Sequence, residues 1–117
     1  MKKIYVLLAI TASVLVLANC NPSKTATSSN VSKTTYEADL APVIMSNCSP
    51  CHIPAKGGNK RAYDNFANVR TDIDEMIRRI GLHPDEKGFM PFRKKERLPD
   101  STINVFKKFR DDGTLER

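Results

Sequence analysis

Residues Cys48-Ser49-Pro50-Cys51-His52 constrain this chain more than any other stretch. They read C-x-x-C-H. Two thiols three positions apart lie about one helical turn from each other, and an imidazole follows at once. This is the attachment pattern for a covalently bound haem. At this spacing the thiols can reach the two vinyl groups on one edge of a porphyrin, and the imidazole of His52 can rise beneath the ring to the iron. Such a chain must still supply a sixth ligand and a dry pocket. Other readings compete. A zinc site would use Cys48 and Cys51 with two further ligands. Only His52 and His83 offer imidazoles, and the adjacent Cys51 and His52 are awkward partners for one small ion. A thioredoxin-like pair needs a βαβ setting, which the sequence lacks. A chance match is the remaining alternative.

The start of the chain has its own grammar. Met1-Lys2-Lys3 precedes an apolar run from Ile4 to Ala18. A short basic region before a short apolar segment reads as a secretory signal peptide. The run is shorter than the roughly 20 apolar residues of a membrane span. It ends at Leu17-Ala18-Asn19-Cys20, which resembles a bacterial lipobox, with Asn19 where lipoboxes carry Gly, Ala or Ser. The resemblance implies residues 1–19 as a removed leader and Cys20 as a lipidated first residue. An ordinary cleaved signal or an uncleaved anchor is the alternative. Asn21 follows, and the lack of Asp there favours the outer over the inner membrane. Of the three cysteines, one is thus expected to carry lipid and two haem, leaving none for a disulfide. An exported chain without a free thiol suits an oxidising compartment.

Residues 20–34 are rich in Ser, Thr, Asn and Lys and nearly devoid of apolar side chains. Such a segment reads as a flexible tether, with a reach of roughly 45 Å when extended. The folded part is expected over 35–117, a single domain. That is small for an independent core, so the domain is expected to depend on haem for its central apolar surface.

Within it, Thr34 and Glu37 form an expected capping box. Tyr36, Leu40, Val43 and Ile44 then recur at helical spacing. Pro42 either lies in the first turn of a helix starting near Asp39 or kinks a longer one. Gly57-Gly58 breaks the chain after the cysteines. A short helix over 61–69 is expected, then a second capped by Thr71. That helix carries Ile73, Met76, Ile77 and Ile80 as one apolar stripe and ends at Gly81. Residues 82–98 form a long loop, and such loops are usually functional. A last helix over 100–112 buries Ile103, Phe106 and Phe109, with Val105 near its edge, and closes at Gly113. No segment alternates with period two for long enough to be a strand, so the class is all-α.

The long loop holds Gly88-Phe89-Met90-Pro91. A thioether is a soft ligand suited to the iron of an electron-transfer haem, and Met paired with His raises its potential. Pro91 fixes the chain beside the sulfur. His83 is a rival for the sixth position, although a solvent-exposed loop histidine is its simpler reading. Met76 reads as core, and Met45 lies in the helix before Cys48, on the wrong side.

Together, Cys48, Cys51, His52, Met90-Pro91 and the aromatic-faced final helix make residues 36–113 resemble the small class I c-type cytochromes, of the monohaem kind found in exported bacterial lipoproteins. The resemblance implies three to five helices wrapped around one haem c. Thioether bonds would join it to Cys48 and Cys51, with His52 proximal and Met90 distal to the iron. It also implies that the first and last helices cross beside the haem.

The formal net charge is +6, and removal of Lys2 and Lys3 with the leader leaves +4. Positive charge is dense at Arg93-Lys94-Lys95 and Arg97. Such a rim can steer an acidic redox partner, while a solvated loop is the simpler reading of the same run. Nucleic acid is not an expected partner of an exported chain. The leading expectation is a non-enzymatic electron carrier serving redox partner proteins, held to a membrane through its lipid. The alternatives are a haem enzyme or gas sensor with an openable distal site, offering His83, Arg93 and Lys94, and a lipoprotein without haem.

Overall fold

A computed structural model of the chain describes residues 32–117. The expected leader, Cys20 and most of the expected tether lie outside the described residues. Three α-helices carry the architecture: α1 (Ala41–Asn47), α2 (Phe66–Gly81) and α3 (Asp100–Asp111). A π-helical turn over Tyr36–Leu40 leads into α1, and a 3-10 turn covers Pro54–Lys56. Among the described residues there is no strand. A single parallel bridge joins Thr35 to Leu115. The class is all-α.

The entry to α1 shows what Pro42 does. Pro42 has no N–H, and its ring crowds the carbonyl four residues back. The chain accommodates this by widening the preceding turn, a common response to a break in the i→i−4 ladder. The N–H groups of Leu40 and Ala41 accordingly bond to Thr35 and Tyr36, five residues earlier. Pro42 then falls in the first turn of α1, where no N–H is needed. The cap also sits one residue later than the Thr34 expectation. It is the Thr35 hydroxyl that accepts from the Ala38 N–H. Thr34, at the end of the expected tether, is only 7% exposed. Its N–H donates to the Asp112 carboxylate at 2.6 Å.

Helix α2 corrects a second expectation. It runs unbroken through Thr71, whose hydroxyl donates back to the Ala67 carbonyl at 2.8 Å instead of capping. Asn65 is the cap, its side chain accepting from the Asn68 N–H. The unbroken helix extends the apolar stripe back to Val69. Gly81 remains helical, and Leu82 turns the chain into extended backbone. By contrast, α3 ends at a left-handed Gly113 (φ +100°). There Thr114 N–H bonds to Phe109 carbonyl and Gly113 N–H to Arg110 carbonyl, the paired bonds of a Schellman motif.

The core joins the three parts. Tyr36, Leu40 and Ile44 come from the first helical run, Val69, Ile73, Met76 and Ile80 from α2, and Ile103, Phe106 and Phe109 from α3. Ile53 and Leu98 complete it from the loops. The start of the first helical run is tied to the C-terminal residues. Tyr36 and Glu37 N–H groups donate to the Leu115 and Glu116 carbonyls at 2.8 and 3.0 Å, and Arg117 pairs with Glu37. The first helical run and α3 pack together, as do α2 and α3. No described helix is long and apolar enough to cross a membrane.

Candidate functional site

Cys48 caps the C-terminus of α1, its N–H bonded to the Ile44 carbonyl. The next four residues make one further turn, with His52 N–H donating to Cys48 carbonyl at 3.1 Å and Ile53 N–H to Pro50 carbonyl at 3.0 Å. The turn places Cys48, Cys51 and His52 on the wall of one cavity of about 460 Å³. That volume lies within the roughly 300–1,000 Å³ of pockets that enclose a drug-sized ligand. Met76 and Ile80 from α2, Phe106 from α3 and Met90-Pro91 from the long loop also line it. Its walls are mainly apolar. All four residues expected to hold haem therefore share one cavity.

The imidazole is held from two sides. Residues 60–63 run back along the Cys48–Ile53 turn. Lys60 N–H donates to Cys51 carbonyl at 3.0 Å and Tyr63 N–H to His52 carbonyl at 2.9 Å. This places the Arg61 carbonyl 2.8 Å from His52 Nδ1. A carbonyl only accepts, so Nδ1 is the donor, and in the neutral ring that leaves the lone pair on Nε2. Ligating histidines are commonly fixed in this way. The Tyr63 ring stacks on the imidazole, centroids 4.5 Å apart and planes within 9°. Burial, reinforced by the nearby Asp72, pushes the Tyr63 phenol up to about 12. It stays protonated at any physiological pH.

Cys48 and Cys51 are half-buried thiols, not joined to each other. Burial pushes the Cys48 thiol up to about 11, with Lys94 opposing the shift. Among the described residues no three His, Cys, Asp or Glu side chains cluster to hold a metal ion. The zinc alternative thus lacks a ligand set there.

The long loop is fastened to α2 near its sulfur. Met90 N–H donates to the Arg79 carbonyl at 3.2 Å, and Arg79 Nε donates to the Gly88 carbonyl at 2.7 Å. Phe89, between these bonds, is buried. Lys94 Nζ reaches Asn47 at the end of α1 at 2.9 Å. Met90 is half-buried on the cavity wall. His83 is exposed, engaged with Asp85 and Glu86, and does not line the cavity. Met45 is exposed on α1. Met76 belongs to the core, only 5% exposed, yet it also contributes to the cavity wall.

Four cations, Lys60, Arg79, Arg93 and Lys94, line the cavity, and no carboxylate does. Beside them Phe92 is 82% exposed. Sequence reasoning missed Tyr63, the Arg61 carbonyl and the Arg79 fastening. None belongs to a motif, and each arises from how the loops fold back. Comparison with protein-family models, curated proteins and solved structures finds no match for this chain.

Proposed function

We propose that this chain is an electron-transfer protein of the small c-type cytochrome kind, carrying one covalently attached haem c. One observation carries the reading. The two thiols and the imidazole of C-x-x-C-H open into the same mainly apolar cavity as a loop thioether, and His52 is locked with Nε2 free. The residues present fit the group. Cys48 and Cys51 would bond it, His52 would ligate the iron from one side and Met90 from the other. When bound, haem supplies a one-electron iron couple, and a His/Met pair sets its potential high.

The chain's own residues do the rest. Met76, Ile80 and Phe106 exclude water from the cavity. Arg61 and Tyr63 fix the imidazole. Arg79 holds the loop that carries Met90. A ligand pair kept in place in both oxidation states lets electrons pass without ligand exchange. The cations at the cavity support a redox partner with an acidic face. Export, lipidation at Cys20 and attachment to a bacterial membrane, with the outer membrane favoured, belong to the same proposal.

The test is spectroscopic. The ferric protein should show the weak red sulfur-to-iron band, and the ferrous protein should bind carbon monoxide slowly. Rapid carbon monoxide binding by the unmutated protein would instead favour the gas-sensor or enzyme reading.

A further inference from the structure

Helix α2 holds the strip beside His52 through two side chains: Asn68 Nδ2 donates to the Ala62 carbonyl at 2.9 Å, and Asp72 engages the residues on either side of it. Asp72 accepts from the Tyr63 hydroxyl at 3.3 Å and pairs with the Arg61 guanidinium. These two residues are the ones that hold His52. Arg61 does so through its carbonyl on Nδ1, and Tyr63 through ring stacking and its N–H on the His52 carbonyl. A further bond, from the Tyr36 hydroxyl to the Tyr63 carbonyl at 3.0 Å, ties the same strip to the first helical run. The Asp72 side chain is only 22% exposed, so its bonds are partly shielded from water.

We infer that Asp72 is a positioning residue for His52, setting the plane of the imidazole through Arg61 and Tyr63. The inference rests on the electron-carrier reading above. The physical reason is geometric. A ring held by one hydrogen bond can still rotate about that bond. A ring also stacked on a second ring cannot, provided the second ring is itself fixed. Tyr63 is fixed at both ends, by its backbone bonds and by Asp72 at the hydroxyl. Asp72 also pairs with Arg61, so it is the side-chain anchor shared by the residue whose carbonyl orients Nδ1 and the ring that sets the plane, while Asn68 fixes the backbone between them. Groups that touch a metal ligand orient it, and Asp72 holds the two residues that touch His52.

The test uses the haem-loaded protein and the proton NMR spectrum of its ferric form. The spread of the haem-methyl resonances reports the orientation of the axial ligand planes. Asp72→Ala should change that spread, and Asp72→Glu should restore much of it. Tyr63→Phe keeps the stacked ring and most of the volume but removes the hydroxyl. It should move the pattern the same way by a smaller amount, which guards against Asp72→Ala failing to fold. A role confined to stapling the loop to α2 would lower the urea midpoint and leave the methyl pattern unmoved, and that result overturns the assignment. Wild-type protein without covalent haem would instead remove the functional reading, and this assignment with it. A haem-bearing wild type with unmoved variants removes the assignment alone.

Discussion

Gly57 and Gly58 stand side by side but are required for different reasons, and substituting each by Ala separates them. Gly57 has φ +80°, and nothing lies within 4 Å of an added Cβ. Its cost is the left-handed backbone alone, about 1 kcal/mol. Gly58 needs no special φ. A Cβ there would lie 2.3 Å from the Pro50 carbonyl oxygen, 2.6 Å from that of Cys51 and 2.8 Å from the Ile53 nitrogen. All three are backbone atoms of the Cys48–Ile53 turn, so none can swing aside. Relief requires moving the turn, which strains two local bonds, Gly58 N–H to Ile53 carbonyl and Lys60 N–H to Cys51 carbonyl. Overpacking costs about 1–3 kcal/mol, and each weakened hydrogen bond about 1 kcal/mol. We expect Gly58→Ala to cost about 3 kcal/mol. With a urea dependence of about 1 kcal/mol per molar for a small domain, its midpoint should fall by about 3 M, against about 1 M for Gly57→Ala. Helical circular dichroism across a urea series measures both. Haem staining of equal amounts of the two proteins should show lower covalent loading for Gly58→Ala. Equal midpoints for the two variants, or a more stable Gly58→Ala, would refute the reasoning.

Three further outcomes are expected. Met90→Ala should lower the reduction potential and speed carbon monoxide binding, whereas His83→Ala and Met76→Leu should leave both nearly unchanged. A redox titration with stopped-flow mixing checks this, and a strong effect at Met76 would move the sulfur ligand to α2. Phe106→Ala removes a ring with no exposure from both the core and the cavity wall, and should cost about 3–5 kcal/mol by denaturant unfolding. Asp112 is held below the usual carboxylate range, chiefly by its bond from Lys108 and next by the Thr34 N–H. A depressed folded pKa stabilises the fold above the unfolded value, near 4, and that contribution is lost as pH falls through the folded value. Asp112→Asn should therefore flatten the acid limb of a stability–pH profile while lowering stability at neutral pH.

Much of this fold was legible in its sequence because helical periodicity is local. The stripe of Ile73, Met76 and Ile80 and the face of Ile103, Phe106 and Phe109 declare their burial through spacing alone. The boundaries were less legible. Thr71 with Asp74 three positions on looks like a cap, but a threonine inside a helix can bond back to the preceding turn, and spacing does not distinguish the two. Likewise Thr34 and Thr35 are adjacent, and only the folded chain shows which hydroxyl reaches Ala38. The supports of the site were not legible. Tyr63 lies eleven residues beyond His52 across an irregular loop, and its stacking depends on the whole course of 53–63. Arg79 looks like one more exposed charge on α2 until Gly88 and Met90 fold against it. Residues that come to share one cavity wall can thus be anticipated from a motif, while the residues that hold them in place depend on tertiary folding.

Colour before and after extraction tests most directly whether two cysteines and a histidine hold a haem here. Mature protein should be red, keep its pigment through acid–acetone, and give the pyridine-haemochrome spectrum of a haem joined by two thioether bonds, with one haem per chain. A colourless protein, or pigment released into the acetone, would contradict the account.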